Sequence, residues 1–262
     1  MHFNKNHIIK LLTRVQNFAA DNLILVQKQN INFEDDFDST YYGLIIRQYC
    51  IISDIRLLFT HKTDNSLTSE LILFRSLIDD YIHITYIVNQ SDKEEQILNF
   101  NGDAINKNFK KLSDLATFNE EKLKGKYPYY PTKKSIDEIK EKIKNTPRQQ
   151  KYILDKDNFK LRTFRSTGNL VRSLNNEIYE HRLIRAYFLW RRYSDFVHYS
   201  NFSFGLEQQI DPKTDETYTE FAEIISYSYK TLLNCLSHYS EKYNLEIKDR
   251  HNLADYYKES EH

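Results

Sequence analysis

Residues 181–200 read HRLIRAYFLWRRYSDFVHYS. At about 100° of rotation per residue, Ala186, Leu189, Trp190, Tyr193, Phe196 and Val197 share one broad apolar sector, so the stretch predicts an amphipathic helix over residues 176–198. Tyr187, Arg191, Ser194, Asp195 and His198 fall together on the opposite side. Arg191 and His198 are seven residues apart, two helical turns, and lie on nearly one line, whereas Arg192 points about a third of a turn away. A helix with one face to bury and a polar row to display belongs in a helical bundle, and the sequence on both sides carries the same period.

On the C-terminal side, NFSFGLEQQIDPKTDE (201–216) reads as a loop holding Gly205 and Pro212, and residues 217–243 read as a last long helix with Tyr218, Phe221, Ile224, Ile225, Tyr229, Leu232, Leu233, Leu236 and Tyr239 on its apolar positions. Residues 244–262 read as a polar tail. On the N-terminal side, Ser166 or Thr167 can cap a short helix over 167–174. Before it lies 120–162, the least core-like part, rich in lysine and holding Gly125, Pro128, Pro131 and Pro147. Ile136, Ile139 and Ile143 predict one short helix there, over 133–145, in a segment that reads as an excursion or lid.

Further upstream, S-D-K-E from Ser91 to Glu94 reads as a capping box opening a helix over 92–119, weakened at Gly102. Residues 67–89 predict a helix with Leu67, Leu71, Phe74, Leu77, Ile78, Tyr81, Ile82 and Thr85 inward and Arg75, Asp79 and His83 stacked at four-residue steps on another side. Residues 40–60 are apolar almost all round, the mark of a central helix, with Asp38 or Ser39 as its cap and the polar run HKTDNS (61–66) as its end. Residues 5–29 form the first helix, and the acidic loop 30–39 follows it. No strand run and no internal repeat competes with this pattern. The expectation is an all-α, antiparallel bundle of five or six long helices in one domain, with a core of about 5–119 and 164–243.

Composition agrees. Five Gly and four Pro in 262 residues supply too few tight turns for a sheet protein. Twenty Tyr and sixteen Phe make an aromatic core, and the tyrosine hydroxyls call for partners, which places them at helix edges and interfaces. The 37 basic and 37 acidic residues cancel, so no global field holds nucleic acid; a local basic run, Lys160, Arg162, Arg165, Arg172, Arg182, Arg185, Arg191 and Arg192, faces only Glu177 and Glu180 within 160–192. Two cysteines make no disulfide framework, no stretch of about 18 apolar residues exists, and the N-terminus lacks a signal-peptide core. A cytoplasmic protein with no membrane partner is the simplest expectation.

The motifs resemble those of a bacterial helical family of unknown function, in which an early helix carries an acidic residue, an arginine and a second acidic residue, and a later one ends in a Tyr–Arg–x–x–Ser–x–x–Val–His type signature. Here the first set is Glu70, Arg75 and Asp79, and the second runs Arg191-Arg192-Tyr193-Ser194-Asp195-Phe196-Val197-His198, over a resemblance spanning about 40–240. The later signature also resembles the Arg–x(4–6)–His motif of the HEPN superfamily, helical proteins many of which are metal-independent endoribonucleases of toxin–antitoxin and antiviral systems. Both Arg191 and Arg192 fit the spacing to His198, although the residue after the arginine is Arg192 or Tyr193 where that superfamily favours Asn, Asp or His.

The resemblance implies RNA cleavage by attack of the ribose 2′-OH in a homodimer, with His198 as acid or base and Arg191, or alternatively Arg192, holding the phosphate. Ser194 and Asp195 would position them; Glu70, Arg75 and Asp79 would lend support, and neither a metal nor a cofactor is expected. A bland reading stands beside this one: Arg191 and Asp195 form a surface pair at i, i+4 and His198 caps a helix end. Asp79 and His83 alone are too few ligands for a metal, and Cys235 with His238 reads as a core cysteine beside an exposed histidine. A non-catalytic helical module that binds a partner protein or a nucleotide is the alternative, favoured by the zero net charge and by the residue after the arginine.

Overall fold

The computed structural model describes residues 3–61, 67–175, 177–197, 210 and 214–253. It is an all-α helical bundle with almost no strand. In chain order the described elements are α1 (Lys5–Gln27), α2 (Asp36–Thr60), α3 (Leu67–Val88), α4 (Lys93–Glu121), α5 (Lys133–Asn145), α6 (Pro147–Gln150), β1 (Ile153–Asp155), β2 (Lys160–Leu161), α7 (Thr167–Arg172), α8 (Glu180–Ser194) and α9 (Asp215–Tyr243). They form two compact units, residues 1–88 with 167–262 and residues 89–166.

In the larger unit α1 packs on α2 and α9, α3 on α2, α8 and α9, and α7 on α8. Three phenylalanines lock the centre: Phe74 of α3 stacks on Phe221 of α9 with ring centroids 4.6 Å apart, and Phe59 of α2 meets Phe221 edge-on at 5.6 Å. Tyr81 and Tyr227 stack at 4.4 Å, and Phe18 of α1 meets Tyr229 edge-on at 5.0 Å. Some of the tyrosines are part of the core itself: Tyr127, Tyr129 and Tyr130 are exposed, whereas Tyr41, Tyr81, Tyr193, Tyr227, Tyr229 and Tyr239 are all buried. Their rings fill volume while hydroxyls such as those of Tyr193, Tyr227 and Tyr239 reach polar partners at the ends of the packed layer.

In the smaller unit α4 carries α5 and the β1–β2 hairpin, with Phe100 against Phe164 and Phe109 against Phe159, both edge-on. Gly102 is where this unit closes up: a Cβ there would lie 2.6 Å from the Cβ of Arg162, so the helix needs glycine to let the strand approach. The hairpin is absent from the periodicity because a three-residue strand pairing with a two-residue one gives no alternating run to read.

Several boundaries move. The cap of α2 is Asp35, whose Oδ1 accepts from the backbone N–H groups of Phe37 and Asp38, so the helix starts before the Asp38 or Ser39 expected as its cap. The Ser91 capping box does not form: α4 starts at Lys93 behind Asp92, which makes no side-chain capping bond. The helix expected over 176–198 is observed as Glu180–Ser194. The stretch 198–209, Pro212, residues 62–66 and the end of the tail lie outside the described residues. Among the described residues no helix is long and apolar enough to cross a membrane.

Candidate functional site

Helix α8 buries Ala186, Leu189 and Tyr193, with Phe196 just beyond its end, all positions its period marks for the core, and it buries Leu183 as well. Val197 is 41% exposed because the helix ends before the sector reaches it. The turn between Arg191 and Arg192 then separates two guanidinium groups with different fates. Arg192 swings to α9, where its Nη1 donates to Oε1 of Glu220 at 2.6 Å. The other carboxylate oxygen of Glu220 accepts from the Tyr193 hydroxyl at 3.1 Å. Burial, reinforced by the Glu220 charge, pushes the Tyr193 phenol well above its ordinary value, so it stays a donor. Two turns earlier, Arg185 makes a two-pronged pair with Glu223, whose Oε1 also accepts from Tyr227. This bond to Glu223 raises the Arg185 pKa.

Arg191 is left out of this ladder. It is exposed and makes no ion pair among the described residues, Asp195 included. The surface pair at i, i+4 is therefore not formed: Asp195 stands just past the last helical residue, at the C-cap.

The supporting residues divide between two helices. Arg75 of α3 reaches α8: its Nε donates to Ser194 Oγ at 3.0 Å, and its guanidinium lies 4.7 Å from the centre of the Trp190 ring. Ser194 in turn donates to the Trp190 carbonyl at 2.6 Å, so its hydroxyl is engaged as both acceptor and donor. Trp190 stacks on Tyr187, centroids 5.8 Å apart, and its buried indole N–H has no partner among the described residues. Asp79 turns instead toward α7, accepting from the Thr167 hydroxyl at 3.0 Å. Thr167 Oγ lies 3.3 Å from His83 Nε2. Glu70 is buried in the first turn of α3. His198 lies outside the described residues.

Two polar centres have no counterpart in the sequence reading. Asp80, beside Asp79, faces α2: its Oδ2 accepts from Arg47 Nε at 2.9 Å and Gln48 Nε2 at 2.8 Å, and Gln48 accepts from Ser228 of α9. Burial pushes its carboxyl up to about 6 despite the Arg47 charge. The second centre is Asp38, fully buried. Its Oδ1 meets His238 Nε2 at 2.6 Å, its Oδ2 takes the Lys242 ammonium at 3.0 Å and the Tyr243 hydroxyl, and its carbonyl accepts from Tyr239. Lys242 also pairs with Asp35 at 3.0 Å. His238 is therefore half-buried and bonded, not the exposed histidine expected beside Cys235. Asp35, Asp38 and His238 are near enough to share an ion, but the Lys242 ammonium already bridges the two carboxylates there.

The residues that the motif supplies, from Glu70 to His198, fall inside the stretch 38–218, which matches a family model. The chain belongs to DUF5677, a family of unknown function. Most of α9, including Glu220, Glu223 and the partners of Asp38, lies beyond the matched residues. No curated protein and no solved structure matches the chain.

Proposed function

We propose that this DUF5677 chain is a HEPN-like, metal-independent endoribonuclease of a bacterial toxin or antiphage system, acting in the cytoplasm as a homodimer. One observation carries the reading: of the two arginines in the motif, Arg192 is spent on Glu220, while Arg191 is exposed and without an ion pair among the described residues. An unpaired guanidinium on the polar face of a helix is available to grip an RNA phosphate bidentately. His198, seven residues on, takes the proton from the ribose 2′-OH or returns one to the leaving 5′-oxygen. Arg75 positions rather than reacts: it ties α3 to the end of α8 through Ser194 and Trp190, which fixes where Arg191 stands. Arg192 is a structural arginine in this reading.

A second reading, a non-catalytic interaction module for a partner protein or a nucleotide, draws on a different observation. Ser194, Arg75, Arg192 and Asp79 are all bonded within the chain, and Phe188 is 65% exposed on α8 one turn before Arg191. Cleavage of total cellular RNA by the purified protein in EDTA separates the two. The nuclease reading expects fragments from the wild type that Arg191→Ala and His198→Ala both abolish, with Arg192→Ala retaining activity. A folded wild type that leaves RNA intact favours the module, and cleavage that survives His198→Ala removes that residue from the mechanism.

A further inference from the structure

The smaller unit carries a feature that the nuclease reading does not use. Its chain leaves α4 as KLKGKYPYYPTKK, residues 122–134, and this loop is pinned at both ends. Gly125 N–H donates to the Asn119 carbonyl, Asn119 Nδ2 reaches the Pro131 carbonyl at 3.4 Å, and Lys133 N–H donates to Glu120 at 2.8 Å. Lys124 and Gly125 take the left-handed conformation that reverses the chain at the helix end. Between the pins, Tyr127 to Tyr130 is a β-turn closed by Tyr130 N–H on the Tyr127 carbonyl, with Pro128 at its second position. The turn lifts Tyr129 to the tip, where it is 95% exposed, and lays Tyr127 against Tyr130 with ring centroids 5.3 Å apart. Three tyrosine rings are thus held out to solvent by a short, proline-braced loop.

Lysines surround them. Lys122, Lys124, Lys126 and Lys134 are exposed and make no ion pair among the described residues; Lys133 is the one held by Glu120. Aromatic faces flanked on both sides by ammonium groups suit a strand whose bases stack on the rings while its phosphates meet the lysines. A protein partner is a poorer fit, because lysine is depleted at protein interfaces and five of the thirteen residues of this loop are lysine. The fixed geometry also lowers the ordering cost that exposed aromatics would otherwise pay on binding.

We infer that the 122–134 loop of the smaller unit is a binding surface for single-stranded nucleic acid, with the tyrosines stacking on bases and the lysines on the backbone. Stacking on bases and attraction to phosphates do not depend on the 2′-OH, so RNA and DNA strands both bind. That permits a test independent of cleavage, since a DNA strand has no 2′-OH to attack.

The full chain is titrated into a fluorescently labelled mixed-sequence DNA strand of about 16 nucleotides, long enough for a multi-base contact, and followed by anisotropy. Tyr129→Ala, which cannot disturb packing at so exposed a position, weakens binding about tenfold, and Tyr127→Ala with Tyr130→Ala adds to the loss. Replacing Lys124 and Lys126 by Ala lowers the steepness of log affinity against log salt by about 1.4, the share of two single-strand phosphate contacts. Strand binding by the wild type that persists where RNA cleavage fails supports this inference while sinking the catalytic one. The inference is overturned by tyrosine variants that bind like the wild type, by duplex binding as tight as single-strand binding, or by poly-glutamate competing as well as the strand, which would mark an acidic protein partner.

Discussion

The outer face of α8 and the cluster around Asp38 are both rows of charged and aromatic side chains in one unit, yet they are opposite kinds of site. Around Asp38 both carboxylate oxygens and the backbone carbonyl are engaged by His238, Lys242, Tyr243 and Tyr239, and the carboxylate is fully buried. On α8, among the described residues, Arg191 stands in solvent with no ion pair and the Trp190 indole N–H, though buried, has no partner. A saturated cluster stabilises a fold and has nothing left to offer a ligand. An unsaturated one contributes little to stability and keeps its binding capacity. Substitutions should therefore separate the two by whether they move stability or activity.

The largest effect is expected at Asp38. Asp38→Ala strands the Tyr243 hydroxyl and the His238 ring and removes one of the two carboxylates that hold Lys242, so unfolding free energy should fall by about 3 kcal/mol or more in denaturant titration. The same network sets an acid limit. Burial alone would raise the Asp38 carboxyl, but bonds from Tyr243, His238 and Lys242 outweigh it and hold it below its ordinary value; the Asp38 N–H and Lys242 do the same for Asp35. Carboxyls lowered by folding stabilise above their unfolded pKa, and this contribution is lost as pH falls below about 4. A variant with wild-type stability would show that the cluster is not the staple its geometry describes.

Asp80 runs the other way, because its raised carboxyl favours the protonated form. Its contribution is full below the unfolded value of 3.8 and lost as pH rises through about 6. Asp80→Asn, which keeps an acceptor for Arg47 or Gln48, should flatten the pH dependence of stability between those limits, by up to about 3 kcal/mol across the window. An unchanged profile would mean that the Arg47 pairing outweighs the burial.

The fold was legible because it rests on period: the apolar sectors of 181–200 and 67–89 name Ala186, Leu189, Tyr193 and Phe196, or Leu71, Phe74, Leu77 and Ile78, and those are buried. The angle between Arg191 and Arg192 was legible for the same reason. What each arginine meets was not, since Glu220 lies 28 residues from Arg192 and His238 lies 200 from Asp38. Helical period states which face turns inward but not the register between helices, and it is register that pairs an arginine with a glutamate on another helix. The α2 cap failed more locally: Asp35, Asp36, Asp38 and Ser39 are all competent, and the structure selects the one whose side chain reaches the N–H groups of Phe37 and Asp38.

Glu220 lies between the two extremes. Glu220→Ala leaves the Tyr193 hydroxyl buried without its acceptor and should cost about 2 kcal/mol. Arg192→Ala, from a side chain that is 44% exposed, should cost under about 1 kcal/mol. If Arg192→Ala instead left stability untouched and abolished RNA cleavage, the roles given to the two arginines would be reversed.

The smallest effect on stability, and the sharpest contrast, belongs to Arg191→Ala. No bond within the described chain is lost, so denaturant midpoints should agree with the wild type to within about 0.5 kcal/mol. Removing a guanidinium that neutralises charge in a phosphoryl transition state costs about a hundredfold or more in rate. Arg191→Lys discriminates further: an ammonium keeps the charge but not the two-pronged grip, so a partial rescue of rate at unchanged stability is the expected outcome. A full rescue would reduce Arg191 to a point charge, and a loss of stability in either variant would place it in the same class as Asp38, a residue whose bonds lie within the fold.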